Sequence, residues 1–239
     1  IFHHQEKGKQ ELGEQLIIRV GKWCNFRCVF CNVAENENVL SIKSSIKEIL
    51  AITFYKIKYS NFSSKELNVT ISWGEPSIFQ KETLFILKFF KKYFEERWMD
   101  VHFDLQSNAS NIDRDFARRI RDHWVTQALI SSHTHDPVIF QKIIWVSYET
   151  MWPRFEAGVQ NLIDAGIFVT FNIVLNKMTA TTYLDHLAYL VKKYPTVSLY
   201  NIGYVQPHGM AQENFEILVA QYKDISKIYN QGIWYLKSM

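Results

Sequence analysis

Six stretches with apolar residues at every second position alternate with six longer stretches whose apolar residues recur at helical spacing. The strand candidates are 15–22, 66–73, 100–107, 125–132, 167–175 and 197–204. The helix candidates are 43–58, 79–98, 112–122, 154–165, 182–194 and 214–231. Strict alternation predicts a parallel sheet with right-handed helical crossovers, because parallel neighbours cannot be joined by a tight hairpin. No linker, repeat or low-complexity stretch interrupts the 239 residues, and 47% of them are hydrophobic. That is the profile of one globular domain (1–239), with residues 1–14 as an N-terminal extension and 15–231 as the strand–helix body.

The two faces of the strand candidates differ. Leu16, Ile18 and Val20, then Leu67, Val69 and Ile71, Val101, Phe103 and Leu105, and Val169, Phe171 and Ile173 occupy one face and should meet the helices. Arg19, then Asn68, Thr70 and Ser72, His102, Asp104 and Gln106, and Thr170 and Asn172 occupy the other. A closed eight-stranded barrel fills its interior with branched apolar side chains. A polar interior instead predicts a splayed, partial (β/α)6 TIM-type barrel, α/β in class, whose lumen receives ligands. Ligands of parallel α/β folds collect at the C-terminal strand ends. Those ends carry Glu75, Gln106-Ser107-Asn108, Ser131-Ser132-His133, Asn172 with Asn176, and Gln206 with His208.

All three cysteines of the chain lie within one loop after the first strand candidate, as Cys24-Asn-Phe-Arg-Cys28-Val-Phe-Cys31. Disulfides would leave one thiol over, and the composition is not that of a cysteine-dense secreted scaffold. Soft thiolates suit zinc or an iron–sulfur cluster. Structural zinc normally takes four protein ligands, and His3 and His4 are the candidates to complete such a set. In a cluster, three cysteines leave one iron open to a non-protein ligand. Clustered free thiols also point to a reducing cytoplasm. A second motif follows the second strand candidate: Trp73-Gly74-Glu75-Pro76, a turn that offers backbone carbonyls and a carboxylate to a ligand ammonium.

A C-x3-C-x2-C loop after one strand and a Gly-Glu-Pro turn after the next resemble the signature of the radical S-adenosylmethionine (radical SAM) superfamily. The resemblance implies that Cys24, Cys28 and Cys31 bind three irons of a 4Fe–4S cluster and that S-adenosylmethionine chelates the fourth. It places Phe30 near the adenine and gives Trp73, Gly74, Glu75 and Pro76 to the methionyl end, Glu75 as a binding group and not as a proton carrier. Trp73 stands where relatives usually have glycine, which removes the φ freedom of that position. Ser107 and Asn108 are similar to the third-strand segment near the cofactor ribose, with Ala109 in place of a glycine. Asn108 reads equally well as a turn residue. Ser132 and Asn172 are further candidate cofactor contacts, and His133 is a candidate substrate-pocket residue with no catalytic role assigned. In His133-Thr-His135-Asp136-Pro137, Asp136 reads as a helix N-cap before an N1 proline and His135 as a surface loop residue. Asn176 reads as a strand-end cap, and Arg19 as a partner for Asp104 or a ligand carboxylate. Pro153 is expected in the first turn of the helix that follows it.

The implied activity is reductive cleavage of S-adenosylmethionine to a 5′-deoxyadenosyl radical, which abstracts hydrogen from a peptide or small metabolite. The segment from His133 to Leu162 and the strand after Gly166 are similar to members acting on such substrates. The electron would come from an external flavodoxin- or ferredoxin-like donor, since three cysteines cannot also build an auxiliary cluster. The alternatives are a non-enzymatic zinc- or cluster-binding module, an electron carrier, and a tRNA- or nucleotide-modifying member. Twenty-seven basic against 24 acidic residues, a net charge of +3, argue against nucleic acid. The stretch 88–98 mixes basic and aromatic residues as an RNA platform does, but Phe85, Ile86, Phe89, Phe90, Tyr93 and Phe94 fall at helical spacing and predict core packing. No apolar run is long enough to span a membrane.

Overall fold

The computed structural model describes residues 14–21, 23–31, 46–59 and 66–239. His3 and His4, most of the expected N-terminal extension, and positions 43–45 of the first helix candidate lie outside these residues. The strands are β1 (Glu14–Arg19), β2 (Glu66–Ser72), β3 (Asp100–Ser107), β4 (Val125–Ser131), β5 (Phe168–Leu175) and β6 (Leu199–Tyr204). They form one sheet in the order β1-β2-β3-β4-β5-β6, every neighbouring pair parallel. The helices are α1 (Ile46–Tyr59), α2 (Gln80–Glu95), α3 (Arg114–Asp122), α4 (Pro137–Ile144), α5 (Tyr148–Asp164), α6 (Tyr183–Lys193), α7 (Met210–Glu213), α8 (Phe215–Leu218) and α9 (Tyr222–Lys237). The architecture is the partial (β/α)6 barrel that the alternation implied.

The facial pattern holds along the strands. In β3, Val101, Phe103 and Leu105 are buried, while His102, Asp104 and Gln106 remain partly exposed. Each fully buried aliphatic or aromatic side chain contributes about 1.5–3 kcal/mol of transfer free energy, so this face drives the fold. On α2, Ile86, Phe90 and Phe94 enter the core, and Phe54 of α1 packs its ring on Phe89, Phe90 and Tyr93. Phe85 departs from the expected stripe: it is 44% exposed and stacks on Phe89 at the rim. On the edge strand, the Lys56 ammonium of α1 donates to the carbonyl of Ile17 at 3.0 Å.

Two elements differ from the sequence expectation. The fourth main helix begins at Tyr148, not after Pro153, because Ser147 caps it by accepting from the Thr150 amide at 3.3 Å. Pro153 therefore sits inside α5, where it lacks the N–H that would reach the Glu149 carbonyl. The expected helix 214–231 is instead two helices, α8 and α9, with the short α7 just before them. Val219 turns to extended geometry after the buried Leu218, whose carbonyl accepts from the Lys177 amide at 2.8 Å. That bond ties the post-β5 segment to the end of α8 and breaks the helical run.

One close approach bears directly on the strand-end region. Gly158 on α5 faces the Ala109 backbone, and a Cβ there would collide with the Ala109 carbonyl oxygen. Gly158→Ala should therefore lower the stability of the apo-protein by about 1–3 kcal/mol, the usual range for overpacking. Urea unfolding followed by circular dichroism measures it, and an unchanged midpoint would contradict the contact.

Candidate functional site

The cysteine loop is fastened on both sides. Trp145 ends α4 in the left-handed region (φ 56°), which turns the chain away and leaves the last carbonyls of the helix to outside donors. The loop supplies them: Arg27 N–H donates to the Ile144 carbonyl at 3.0 Å and Val29 N–H to Ile143 at 2.9 Å. On the other side, Met210 N–H donates to the Cys31 carbonyl at 3.0 Å and the Asn214 amide to Val29 at 3.2 Å. Cys24, Cys28 and Cys31 are free, half-buried thiols. Burial, with a further contribution from Glu75, pushes the Cys24 thiol up to about 12, and burial raises Cys28 well above the ordinary thiol value. Thiols this reluctant to ionise alone become thiolates when a cation is bound. The donor set fits an iron–sulfur cluster: three half-buried soft ligands on a loop held from both flanks. Among the described residues, no three His, Cys, Asp or Glu side chains are placed to grip a single metal ion.

The turn after β2 keeps a glycine-like backbone without its first glycine. Trp73 lies at φ 82° and Gly74 at φ 61°. A left-handed non-glycine residue costs on the order of 1–2 kcal/mol. The Arg19 guanidinium lies over the Trp73 ring, 3.5 Å from its centroid, and offsets part of that cost. Arg19 thus stacks on the turn, and among the described ion pairs none joins it to Asp104.

Glu75 is 1% exposed and its carboxylate is held by four donors. Oε1 accepts from the Ser77 amide (3.0 Å), the Ser77 hydroxyl (2.7 Å) and the Ser107 hydroxyl (2.6 Å), and Oε2 accepts from the Asn108 amide N–H (2.7 Å). Burial raises its pKa, and the four hydrogen bonds oppose that rise. Its own N–H donates to the Trp23 carbonyl at 3.0 Å, binding the turn to the cysteine loop. Glu75 and Ser107, expected as cofactor contacts, therefore clamp the β2 turn to the end of β3. Asn108 follows, and its side-chain amide donates to Asn25 Oδ1 (2.9 Å) and to the Cys24 sulfur (3.7 Å). Its carbonyl accepts from the Ser110 amide and hydroxyl, at 3.0 and 2.7 Å. Ala109 takes the glycine-like φ of 60°.

The remaining strand ends divide between the two faces. His133 is buried, and its Nδ1 accepts from the Val174 N–H at 3.1 Å, standing in for a ladder carbonyl beyond the end of β4. Its ring meets Phe30 edge-on at 4.8 Å, and burial lowers its pKa to about 4. Ser132 turns away from the lumen: it shares the side of Ile130, and its hydroxyl contacts His186 Nε2 of α6 at 3.2 Å. Period two makes Ser131 its lumen-side neighbour. His135 is not a surface residue. Its ring stacks on Tyr189 (4.8 Å) and His186 (5.5 Å), with Nδ1 buried and unpartnered. Asn172 does lie on the lumen side, where its Oδ1 accepts from the Asn201 amide at 2.9 Å. Asn176 caps the turn after β5, accepting from Met178 and Thr179 amides, and Asp136 caps α4 ahead of Pro137. Gln206 and His208 are exposed beyond β6.

The structure thus brings Cys24, Glu75, Ser107 and Asn108 into one connected assembly, and Phe30 against His133. The model of the radical SAM superfamily matches residues 18–190. The chain belongs to the radical SAM superfamily. Solved structures agree in fold: Streptococcus suis SuiB bound to the precursor peptide SuiA has a TM-score of 0.67 at 13% identity, covering 95% of this chain and 46% of SuiB. The structure of anSMEcpe with bound AdoMet and the Kp18Cys peptide gives 0.64 at 12%, covering 81% and 52%. The hydrogenase maturase HydG of Carboxydothermus hydrogenoformans gives 0.58 at 14%, covering 81% and 44%. This radical SAM chain spans about half the length of those proteins. Comparison with curated proteins gives no match.

Asn25, Ser77, Ser110 and Asn214 escaped the sequence reading. Ser77, directly after Glu75-Pro76, carried a usable signal, since a carboxylate at an N-cap accepts from the residue two positions on, and Ser77 offers it both an N–H and a hydroxyl. The other three act through hydrogen bonds across long sequence separations and leave no local pattern.

Two outcomes follow from this geometry. Glu75→Gln places an amide donor among four donors, and should lower apo-protein stability by at least about 2 kcal/mol. Urea unfolding without iron or S-adenosylmethionine checks it, and a purely ligand-binding Glu75 would leave the curve unmoved. Burial lowers His186 to about 3 against an ordinary 6.5. Above pH 6.5 both states are neutral and its contribution is complete. Below that the unfolded chain gains a proton the folded one refuses, and stability falls by about 1.4 kcal/mol per pH unit towards pH 3. His186→Gln should flatten the pH dependence of the urea midpoint between 6.5 and 4, and an unchanged slope would refute the assignment.

Proposed function

We propose that Cys24, Cys28 and Cys31 hold a 4Fe–4S cluster and that S-adenosylmethionine binds between it and the Trp73–Pro76 turn. Bound together, the two supply reductive cleavage to a 5′-deoxyadenosyl radical, which abstracts hydrogen from a substrate. The observation that carries this reading is the direct linkage of the cysteine loop to the turn, through Glu75 N–H to Trp23 and through Asn108 to both Glu75 and Cys24.

The chain's own residues bind and orient. The carbonyls of Trp73 and Gly74 serve as acceptors for the methionyl ammonium. Glu75 braces the turn, and its Oε2, with one donor against three at Oε1, can receive the ammonium as well. Phe30, propped edge-on by His133, offers an apolar surface for the adenine. Asn172, with Asn201, presents polar groups on the lumen side. Ser132 supports the wall from behind through His186. The lumen also carries Thr70, Gln106 and Gln127, a lining rich in amides and hydroxyls that suits the polar groups of a peptide or small metabolite. No acid–base residue is required, because placement and water exclusion govern a radical abstraction. We assign the electron to an external flavodoxin- or ferredoxin-like donor and the protein to a reducing cytoplasm. Among the described residues no helix is long and apolar enough to cross a membrane.

Anaerobic reconstitution with iron and sulfide tests the whole reading. The expected product is a brown protein that, once reduced, converts S-adenosylmethionine to methionine and 5′-deoxyadenosine. Alanine at Cys24, Cys28 or Cys31 should abolish both cluster and product. A colourless protein carrying one zinc and no sulfide, or a cluster that leaves S-adenosylmethionine intact, would overturn it.

A further inference from the structure

Asn25, Asn108 and Ser110 close a ring of hydrogen bonds beside Cys24. The Asn25 amide donates to the Ser110 hydroxyl at 2.8 Å, that hydroxyl donates to Asn108 Oδ1 at 2.7 Å, and the Asn108 amide donates to Asn25 Oδ1 at 2.9 Å. The Ser110 N–H adds a second donor to Asn108 Oδ1 at 3.0 Å. Two donors on one side of the amide and an acceptor on the other leave a single orientation for Asn108, in which the second N–H faces the Cys24 sulfur at 3.7 Å. The amide has no remaining hydrogen-bonding position for a nucleotide. Asn108 and Ser110 are 6% and 5% exposed, so water does not compete for these groups. The Phe26 N–H supplies a second donor to the same sulfur at 3.3 Å.

We infer that the Asn25–Asn108–Ser110 ring sets the reduction potential of the cluster by aiming the Asn108 amide at the Cys24 thiolate. The inference rests on the cluster-binding reading of Cys24 and goes beyond it, to how readily that centre accepts an electron. A donor to a ligand thiolate withdraws charge from the sulfur and stabilises the more electron-rich, reduced cluster, which raises the potential. Asn108 is the tuning residue, while Asn25 and Ser110 are positioning residues that act through it. The same Asn108 offers its backbone N–H to Glu75, so the amide that tunes the cluster belongs to the residue that braces the nucleotide turn.

The test is an EPR-monitored potentiometric titration of the reconstituted protein without S-adenosylmethionine. Asn108→Leu keeps the shape and neutrality of the side chain and removes the donor. Ser110→Ala keeps Asn108 and removes what fixes its orientation, and Ser110→Thr restores the hydroxyl. The expected result is a potential more negative in Asn108→Leu, by at least a threefold change in the reduced fraction at fixed potential, about 28 mV at about 59 mV per tenfold for a one-electron couple. Ser110→Ala should shift in the same direction by less, and Ser110→Thr should return to the parent value. If Asn108→Leu assembles no cluster, Ser110→Ala decides alone. A Ser110→Ala potential equal to the parent's, or any shift to more positive values, overturns the inference while leaving the cluster reading intact. A parent protein that assembles no cluster overturns both.

Discussion

The site depends on one buried carboxylate. Removing an ionised group from water costs several kcal/mol, and Glu75 recovers that cost through four hydrogen bonds from Ser77, Ser107 and Asn108, each worth about 1.5–3 kcal/mol to a charged acceptor. Cost and gain nearly cancel, so the net product is placement. The turn after β2 and the end of β3 become one rigid piece, and Asn108 and Trp23 extend that piece to the cysteine loop. A flexible clamp would leave the loop and the turn free to drift apart, and radical chemistry tolerates little drift.

Two of the backbone positions in this piece carry residues poorly suited to them. Trp73 and Ala109 both hold left-handed φ values, which glycine adopts without strain. Strain of this kind persists only where the surroundings fix it. Arg19 holds the indole from above, and the bare Gly158 lets α5 approach the Ala109 carbonyl closely. Neighbours from a strand and a helix distant in sequence therefore hold these two positions.

Much of this was legible in the chain. Period-two patterning placed all six strands, because a strand between helices on one side and a polar lumen on the other must alternate. The cysteine spacing and the Gly-Glu-Pro turn marked the site. Side-chain direction at strand ends was less readable: Ser132 follows the outward register of Ile130, a one-residue distinction that the end of a strand candidate does not settle. His135 looked like loop surface because its stacking partners, Tyr189 and His186, come from α6. Pro153 suggested a helix start, yet the stronger cap at Ser147 and the buried Trp152 and Phe155 carried the helix through it. Asn25 and Ser110 form their bond across 85 residues, and no local rule reports such a contact.

The ammonium of Lys56, resting on the Ile17 carbonyl, acts at the opposite extreme from catalysis. An open sheet has rims, and an unguarded rim is a template on which another molecule can add its own strand. A newcomer pairing with β1 would have to strip away or bury a cation, whose pKa burial and the nearby Arg19 already lower. Displacing Lys56 from the Ile17 carbonyl is thus a cost that any strand added at that position would carry.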